Sequence, residues 1–148
     1  MSHVKSPNDK TFVDLGSGKG KIVLEAGYKY NFNKSYGIEL CTNKYTYSEK
    51  MLKLFQNKFG KSNIIFKNVN MFHPAVNWTE FDIIYISNLC FTDDMNRKIA
   101  EKFDSEGKIG SIIFSSKEIP VSRTADKKIL SVKQSWNDSS NINMITLH

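Results

Sequence analysis

The sequence lacks any apolar run near the roughly 20 residues that a membrane span requires. Its first ten residues, MSHVKSPNDK, contain no apolar stretch of the secretory type. Cysteine is scarce: Cys41 and Cys90 stand 49 residues apart with no C-x-x-C pairing. The expectation is two reduced, mostly buried thiols in an intracellular chain. His3, His73 and His148 are scattered, and none stands at ligand spacing from a cysteine, so no zinc site is legible. With three prolines there is no linker or low-complexity tract, and no internal repeat. Arginine is nearly absent, with only Arg97 and Arg123 among 21 basic residues. Bidentate readout of base edges is correspondingly disfavoured.

What is present suits one packed domain. The chain has 148 residues, 40% hydrophobic and 12% aromatic, too apolar for disorder and long enough to build a core without staples. Its formal charge is +6, carried almost wholly by lysine. A lysine-rich surface has two readings: attraction to a polyanion such as nucleic acid, or simple solubilisation.

Thr11-Phe-Val-Asp-Leu15 is a short apolar run ending in Gly16-Ser-Gly-Lys-Gly20, which predicts a buried strand and a tight turn. A helix is expected from Lys21 to about Tyr30, and a second strand over Ser35–Leu40. Asn43 to about Phe59 places Tyr47, Met51, Leu54 and Phe55 at helical spacing with lysines opposite, and Gly60 stops the helix. Ile64–Phe66 and Asp82–Ser87 read as further strands. Asp93 or Asp94 can cap a helix through Ile99, Ala100 and Phe103 that ends at Gly107. Gly110–Phe114 is a fifth strand. Lys127–Trp136 and Asn141–Leu147 read as a closing hairpin turning at Asn137–Ser140. This alternation predicts an α/β fold, a mainly parallel sheet with helices on both faces and an antiparallel end. Such sheets bind ligands beyond the carboxyl ends of their strands.

The strongest local feature is Asp14-Leu15-Gly16-Ser17-Gly18-Lys19-Gly20, with Glu39 23 residues past the first glycine. The glycines let a ligand approach the backbone, and an acid at that offset reaches a ribose diol. The loop does not fit G-x-x-x-x-G-K-[ST], so it is no P-loop. Its spacing is G-x-G-x-G, not the G-x-G-x-x-G of dinucleotide folds, and Asp14 would repel a pyrophosphate. S-adenosylmethionine has no phosphate and a cationic amino acid end, so it suits the acids best. A nicotinamide cofactor and a fortuitous turn remain the alternatives.

Later segments occur in a telling order: Phe12–Gly18, Tyr36-Gly-Ile-Glu39, Ser87-Asn-Leu-Cys-Phe91 with Asp94–Lys98, Ser115-Ser-Lys117 and Ser135-Trp136. Together they resemble the disruptor-of-telomeric-silencing family, the non-SET histone H3 lysine methyltransferases, from about residue 8 to the end. The resemblance implies a Rossmann-like class I methyltransferase core with a seven-stranded sheet, and S-adenosylmethionine as cofactor. It implies that Asp14, Gly16, Ser17 and Gly18 hold the donor's methionine end and Glu39 its ribose, with Leu15, Lys19, Gly20, Asn70, Met71 and Asn88 completing the cofactor-binding set. Asn70 stands where the family has an aspartate facing adenine, and Met71 replaces an aromatic that Phe72 can supply. Asn88 and Phe91 match catalytic positions at the mouth and wall of a lysine channel, with Trp136 as a further wall. The implied partners are histone H3 or the nucleosome, with non-specific DNA contact through lysines, no metal and no membrane. The implied place is the nucleus.

Two departures accompany the resemblance. Asn143 and Met144 fall where the family has a tyrosine pair, and the family's amino-terminal helical lobe has no counterpart, so residues 1–148 read as one catalytic core. The implied reaction is in-line methyl transfer to a deprotonated lysine amine, needing positioning and dryness more than a general base. Lysine methylation of a non-histone protein is one alternative. A weakly active S-adenosylmethionine-binding chromatin module is another.

Overall fold

Parallel strands cannot be joined by a tight turn, so each pair in the first half of the chain brackets a helix. In the computed structural model, residues 7–60, 63–134 and 137–148 are described, without the side chains of 133, 134 and 137–139. The chain divides into two compact units, Met1–Val76 and Asn77–His148.

The first unit runs β1 (Thr11–Leu15), α1 (Lys21–Lys29), β2 (Lys34–Glu39), α2 (Thr42–Phe59) and β3 (Ile64–Asn68). Its strands lie in the order β3-β2-β1, all parallel, with Asp14 opposite Gly37 and Leu15 opposite Ile38. Phe12, Val13, Leu15, Val23, Ile38 and Phe66 form its core. Gly60 ends α2 in the left-handed region (φ 66°), and its N–H caps the Gln56 carbonyl.

The second unit runs β4 (Ile83–Ile86), α3 (Asp93–Glu106), β5 (Ile112–Ser115), β6 (Ala125–Gln134) and β7 (Asn137–Leu147). Its order is β4-β5-β7-β6: β4 and β5 are parallel, and β7 is antiparallel to both its neighbours. Trp78 packs edge-on against Phe103 of α3, with ring centroids 4.8 Å apart. Arg123 ties the unit together. Its guanidinium donates to the carbonyls of Phe103, Gly107 and His148, while its N–H meets the Asp104 carboxylate. Among the described residues, seven strands, mostly parallel with an antiparallel finish, and three α-helices make the Rossmann-like α/β fold that the sequence pattern predicts.

Four local expectations are corrected. Thr92, not Asp93 or Asp94, caps α3, its hydroxyl accepting from the Met95 N–H at 3.2 Å. The two aspartates sit in the first turn, where the helix dipole favours them. Asn137–Ser140 is strand, not turn: Gln134 pairs with Asn137 and Val132 with Ser140, across an irregularity in register. Cys41 and Cys90 are both exposed, one leading into α2 and the other in the turn after β4. The apolar stripe of α2 is displaced too. Its buried residues are Ser48 and Leu52, whereas Tyr47 and Leu54 are exposed. No helix among the described residues is long and apolar enough to cross a membrane.

Candidate functional site

All three loop glycines adopt positive φ: Gly16 at 85°, Gly18 at 56° and Gly20 at 85°. Side chains rarely adopt that region, so the G-x-G-x-G spacing is a backbone requirement here. The turn begins where the N–H groups of Gly16 and Ser17 both donate to the Ile38 carbonyl, at 2.8 and 2.9 Å. It closes where the Gly20 N–H reaches the Ser17 carbonyl at 2.9 Å. Gly20 faces the Phe66 ring with no room for a Cβ, whereas a Cβ on Gly18 would meet open space. The loop therefore packs at its far end and stays open at its middle.

Glu39, at the carboxyl end of β2, grips this loop. Its Oε2 accepts from the Gly18 N–H at 2.6 Å and its Oε1 from the Cys41 N–H at 2.8 Å. A carboxylate has about four acceptor sites, so two remain for a ligand's hydroxyls. Asn68 holds this corner from β3. Its amide donates to the carbonyls of Glu39 and Leu40 at 2.9 and 3.0 Å and accepts from the Thr42 hydroxyl at 3.1 Å. Leu40 is left two-thirds exposed beside the acid, an apolar surface at a strand's carboxyl end.

Asp14 is 3% exposed, and its Oδ1 has no hydrogen-bond partner. Burial pushes its carboxyl up to about 7, with the nearby Glu39 charge adding to the shift. Ser17 Oγ is also buried and unpartnered. Ser35 Oγ and Ser111 Oγ are unpartnered as well, but they are neutral hydroxyls away from this loop. The buried Asp14 carboxyl is the group whose missing partner is costly, because buried polar and charged groups are nearly always bonded. A ligand presenting a cation and hydrogen-bond donors fits Asp14 and Ser17.

The remaining members of the nucleotide-side set are less uniform. Leu15 is fully buried, so its side chain belongs to the core. Lys19 turns its ammonium onto the Tyr47 ring, 5.0 Å from the centroid. Asn70 is exposed and its Oδ1 accepts from the Phe72 N–H at 2.9 Å, leaving one lone pair on the amide oxygen. Met71 and Phe72 are half-buried.

In the second unit Asn88 is fully buried, and its amide is engaged at both ends. Nδ2 donates to Asn96 Oδ1 at 2.8 Å and to the Lys117 carbonyl at 3.2 Å, while Oδ1 accepts from the Lys117 N–H at 2.8 Å. The backbone carbonyl of Asn88 takes the Phe91 N–H at 3.1 Å, forming a turn that leaves Phe91 half-exposed. Ser115 Oγ donates to the same Lys117 carbonyl at 2.7 Å, and Asn143 donates to the Ser116 carbonyl at 3.4 Å. The sequence segments Ser87–Phe91 and Ser115–Lys117 are thus one hydrogen-bonded network. Beside it lies an open depression of about 830 Å³ of mixed lining, with Asn96, Arg97, Lys117 and Glu118 beside Pro120 and Val121. Trp136 lies outside the described residues.

Three residues of these networks escape the sequence reading. Asn96 was legible in principle: it is the one polar member of the buried α3 stripe Asn96, Ile99, Ala100, Phe103. An amide on an apolar helix face needs a partner. Asn68 and Leu40 carry no such signal, since a polar or apolar residue at a strand end is ordinary.

Comparison with known proteins now bears on this geometry. Structural likeness is to methyltransferases. An RNA methyltransferase from Salinibacter ruber, solved with S-adenosyl-L-homocysteine, superposes with a TM-score of 0.72 at 16% identity, covering 96% of this chain and 84% of its own. A precorrin-6y C5,15-methyltransferase from Geobacter metallireducens gives 0.68 at 15% identity, covering 99% and 84%. These likenesses establish the fold. In sequence the chain is 27% identical over 124 residues to a histone-lysine N-methyltransferase, H3 lysine-79 specific, of Drosophila melanogaster. That match spans 79% of this chain and 7% of the relative. The enzyme of the same description from Caenorhabditis elegans is 29% identical over 121 residues, spanning 76% and 13%. The chain therefore spans a small part of the curated relatives it matches. The family model described as "Histone methylation protein DOT1" matches residues 1–146, and the chain belongs to that family.

Proposed function

We propose that this chain is an S-adenosylmethionine-dependent protein lysine N-methyltransferase whose substrate is histone H3 in nucleosomes. The observation that carries the reading is the buried, unpartnered Asp14 carboxylate oxygen beside the open glycine loop. A phosphate ligand is disfavoured there, whereas an α-ammonium group supplies the missing donor and the missing charge. Ser17 Oγ is a second group available to the ligand's polar end, Glu39 retains lone pairs for a ribose diol, and Leu40 offers a face for an adenine ring. Asn70 retains one acceptor site for an adenine amino group. When bound, S-adenosylmethionine supplies a methyl group on a sulfonium, already activated for transfer.

The acceptor side is assigned to the second unit. Asn88 has no unused donor, so its role there is positioning: it holds the Lys117 backbone and, through Asn96, ties it to α3. Phe91 supplies a half-exposed apolar wall for an alkyl chain. A lysine amine titrates near ~10.4 in water, and an apolar wall favours the neutral form that attacks. The lysine-rich surface suits attraction to nucleosomal DNA, and the corresponding place of action is the nucleus.

Mass spectrometry of recombinant nucleosomes incubated with the chain and the donor tests this directly. The expected result is a methylated lysine on H3, with a yield that falls as salt is added. Donor binding without methylation of any histone would overturn the substrate assignment. It would favour the weakly active binding module, a reading supported by Asn143, whose amide is tied to the Ser116 carbonyl where the family has a tyrosine.

A further inference from the structure

Helix α2 carries two apolar faces. One, through Leu52, is buried. The other is Tyr47, Met51, Phe55 and Phe59, spaced four residues apart so that they form a single ridge along the helix. That ridge faces Leu24 of α1 across a groove of about 460 Å³, which closes at one end where Tyr28 of α1 packs on Phe59 with ring centroids 4.8 Å apart. Its apolar walls remain open to solvent: Tyr28 is 54% exposed, Tyr47 45% and Phe59 40%. From Tyr47 to Phe59 the helix advances about 18 Å, the length of a twelve-residue helix laid alongside it.

The rim is basic. Lys19, Lys21 and Lys29 line the groove with one acid, Glu25, and Lys58 stands 5.3 Å over the Phe59 ring. None of these four lysines has a carboxylate partner among the described residues. We propose that this groove docks an acidic amphipathic helix of a partner protein. Its apolar side chains would enter between Leu24 and the α2 ridge, and its carboxylates would meet the lysine rim. Charge complementarity selects this occupant. A second copy would set lysine rim against lysine rim, with each chain at +6. Single-stranded nucleic acid requires open ring faces for stacking. Here Tyr28, Phe55 and Phe59 tilt against one another at 4.8–4.9 Å, and Lys19 occupies the face of Tyr47.

The test uses two fluorescent fourteen-residue helical peptides with the same leucine stripe, one flanked by glutamates and the other by lysines. It is run without methyl donor, so its result is independent of the catalytic reading. The acidic peptide should bind saturably and shift NMR resonances of α1 and α2. Its affinity should fall at least tenfold for Lys29→Glu/Lys58→Glu, for Tyr47→Ser, and on raising salt from low to high. Melting curves establish that these exposed-site variants are folded. Equal binding of the two peptides, no saturation below millimolar concentration, or shifts confined elsewhere would overturn the proposal. So would self-association mapped to the groove, or an oligothymidine probe that binds there more tightly than the acidic peptide.

Discussion

Replacing Asp14 by Asn should make the ligand-free chain more stable and at the same time weaken its hold on S-adenosylmethionine. The carboxyl titrates near 3.8 when unperturbed and near 7 in the folded chain, chiefly because it is buried and secondarily because Glu39 is close. The folded state therefore binds this proton more tightly than the unfolded state. The group's contribution is fully favourable below about 3.8 and is lost as pH rises through about 7. Above that, with three units at about 1.36 kcal/mol each, the ionised form costs about 4 kcal/mol relative to the protonated one. An amide of the same shape stays neutral throughout. The stability gap between variant and wild type should accordingly widen by about 3 kcal/mol between pH 5 and pH 8. For a chain of this length that is a Tm gap growing by about 10 °C.

Binding should move the opposite way. A cationic ligand favours the ionised carboxylate, so wild-type affinity should rise as pH rises through about 7, with a proton released on binding below that point. The Asn variant should bind weakly at every pH and release none. Differential scanning fluorimetry across pH, paired with calorimetry in two buffers of different ionisation enthalpy, measures both halves. An Asn variant less stable than wild type at pH 8, or one with the wild-type pH profile of binding, would refute the reasoning.

Gly18→Ala places a Cβ in open space but at φ 56°, so it should lower stability by about 1 kcal/mol while obstructing ligand approach; calorimetry should show at least a tenfold loss of donor affinity. Asn68→Ala removes three hydrogen bonds around Glu39 and Leu40, and should raise the donor Kd severalfold with a stability loss of about 1–2 kcal/mol by urea titration. Arg123→Ala deprives the Phe103, Gly107 and His148 carbonyls of their donor; urea titration should show a loss of about 2–3 kcal/mol, with donor affinity unchanged.

The order of strands and helices was legible because each apolar run is bounded by a glycine or a polar cluster. Thr11–Leu15 reads as β1 residue for residue, and Gly60 and Gly107 mark helix ends where expected. Boundaries that depend on one side-chain hydrogen bond were less legible. Thr92 and Asp93 are equally good caps on paper, and only the placement of the hydroxyl over the Met95 N–H decides between them. The α2 stripe illustrates a different gap. Periodicity identifies an apolar face without saying what covers it, and the core takes the small Ser48 and Leu52 side while the aromatic ridge stays outside.

Asn88 shows why a resemblance names a residue more readily than its role. The family resemblance singles it out as a candidate site residue, yet nothing in the sequence reveals that Asn96, eight residues on, uses one of its two donors. With the other donor on the Lys117 carbonyl and its oxygen on the Lys117 N–H, the amide has little left to offer a ligand. Asp14 is the converse. It too is buried, but its Oδ1 has no partner and its proton is held up to about 7. A satisfied buried amide holds structure in place, whereas an unsatisfied buried acid lowers stability unless something binds it. By that contrast the first unit's loop is where a ligand is to be sought, and the Asn88 network is the frame that orders the segment after β5.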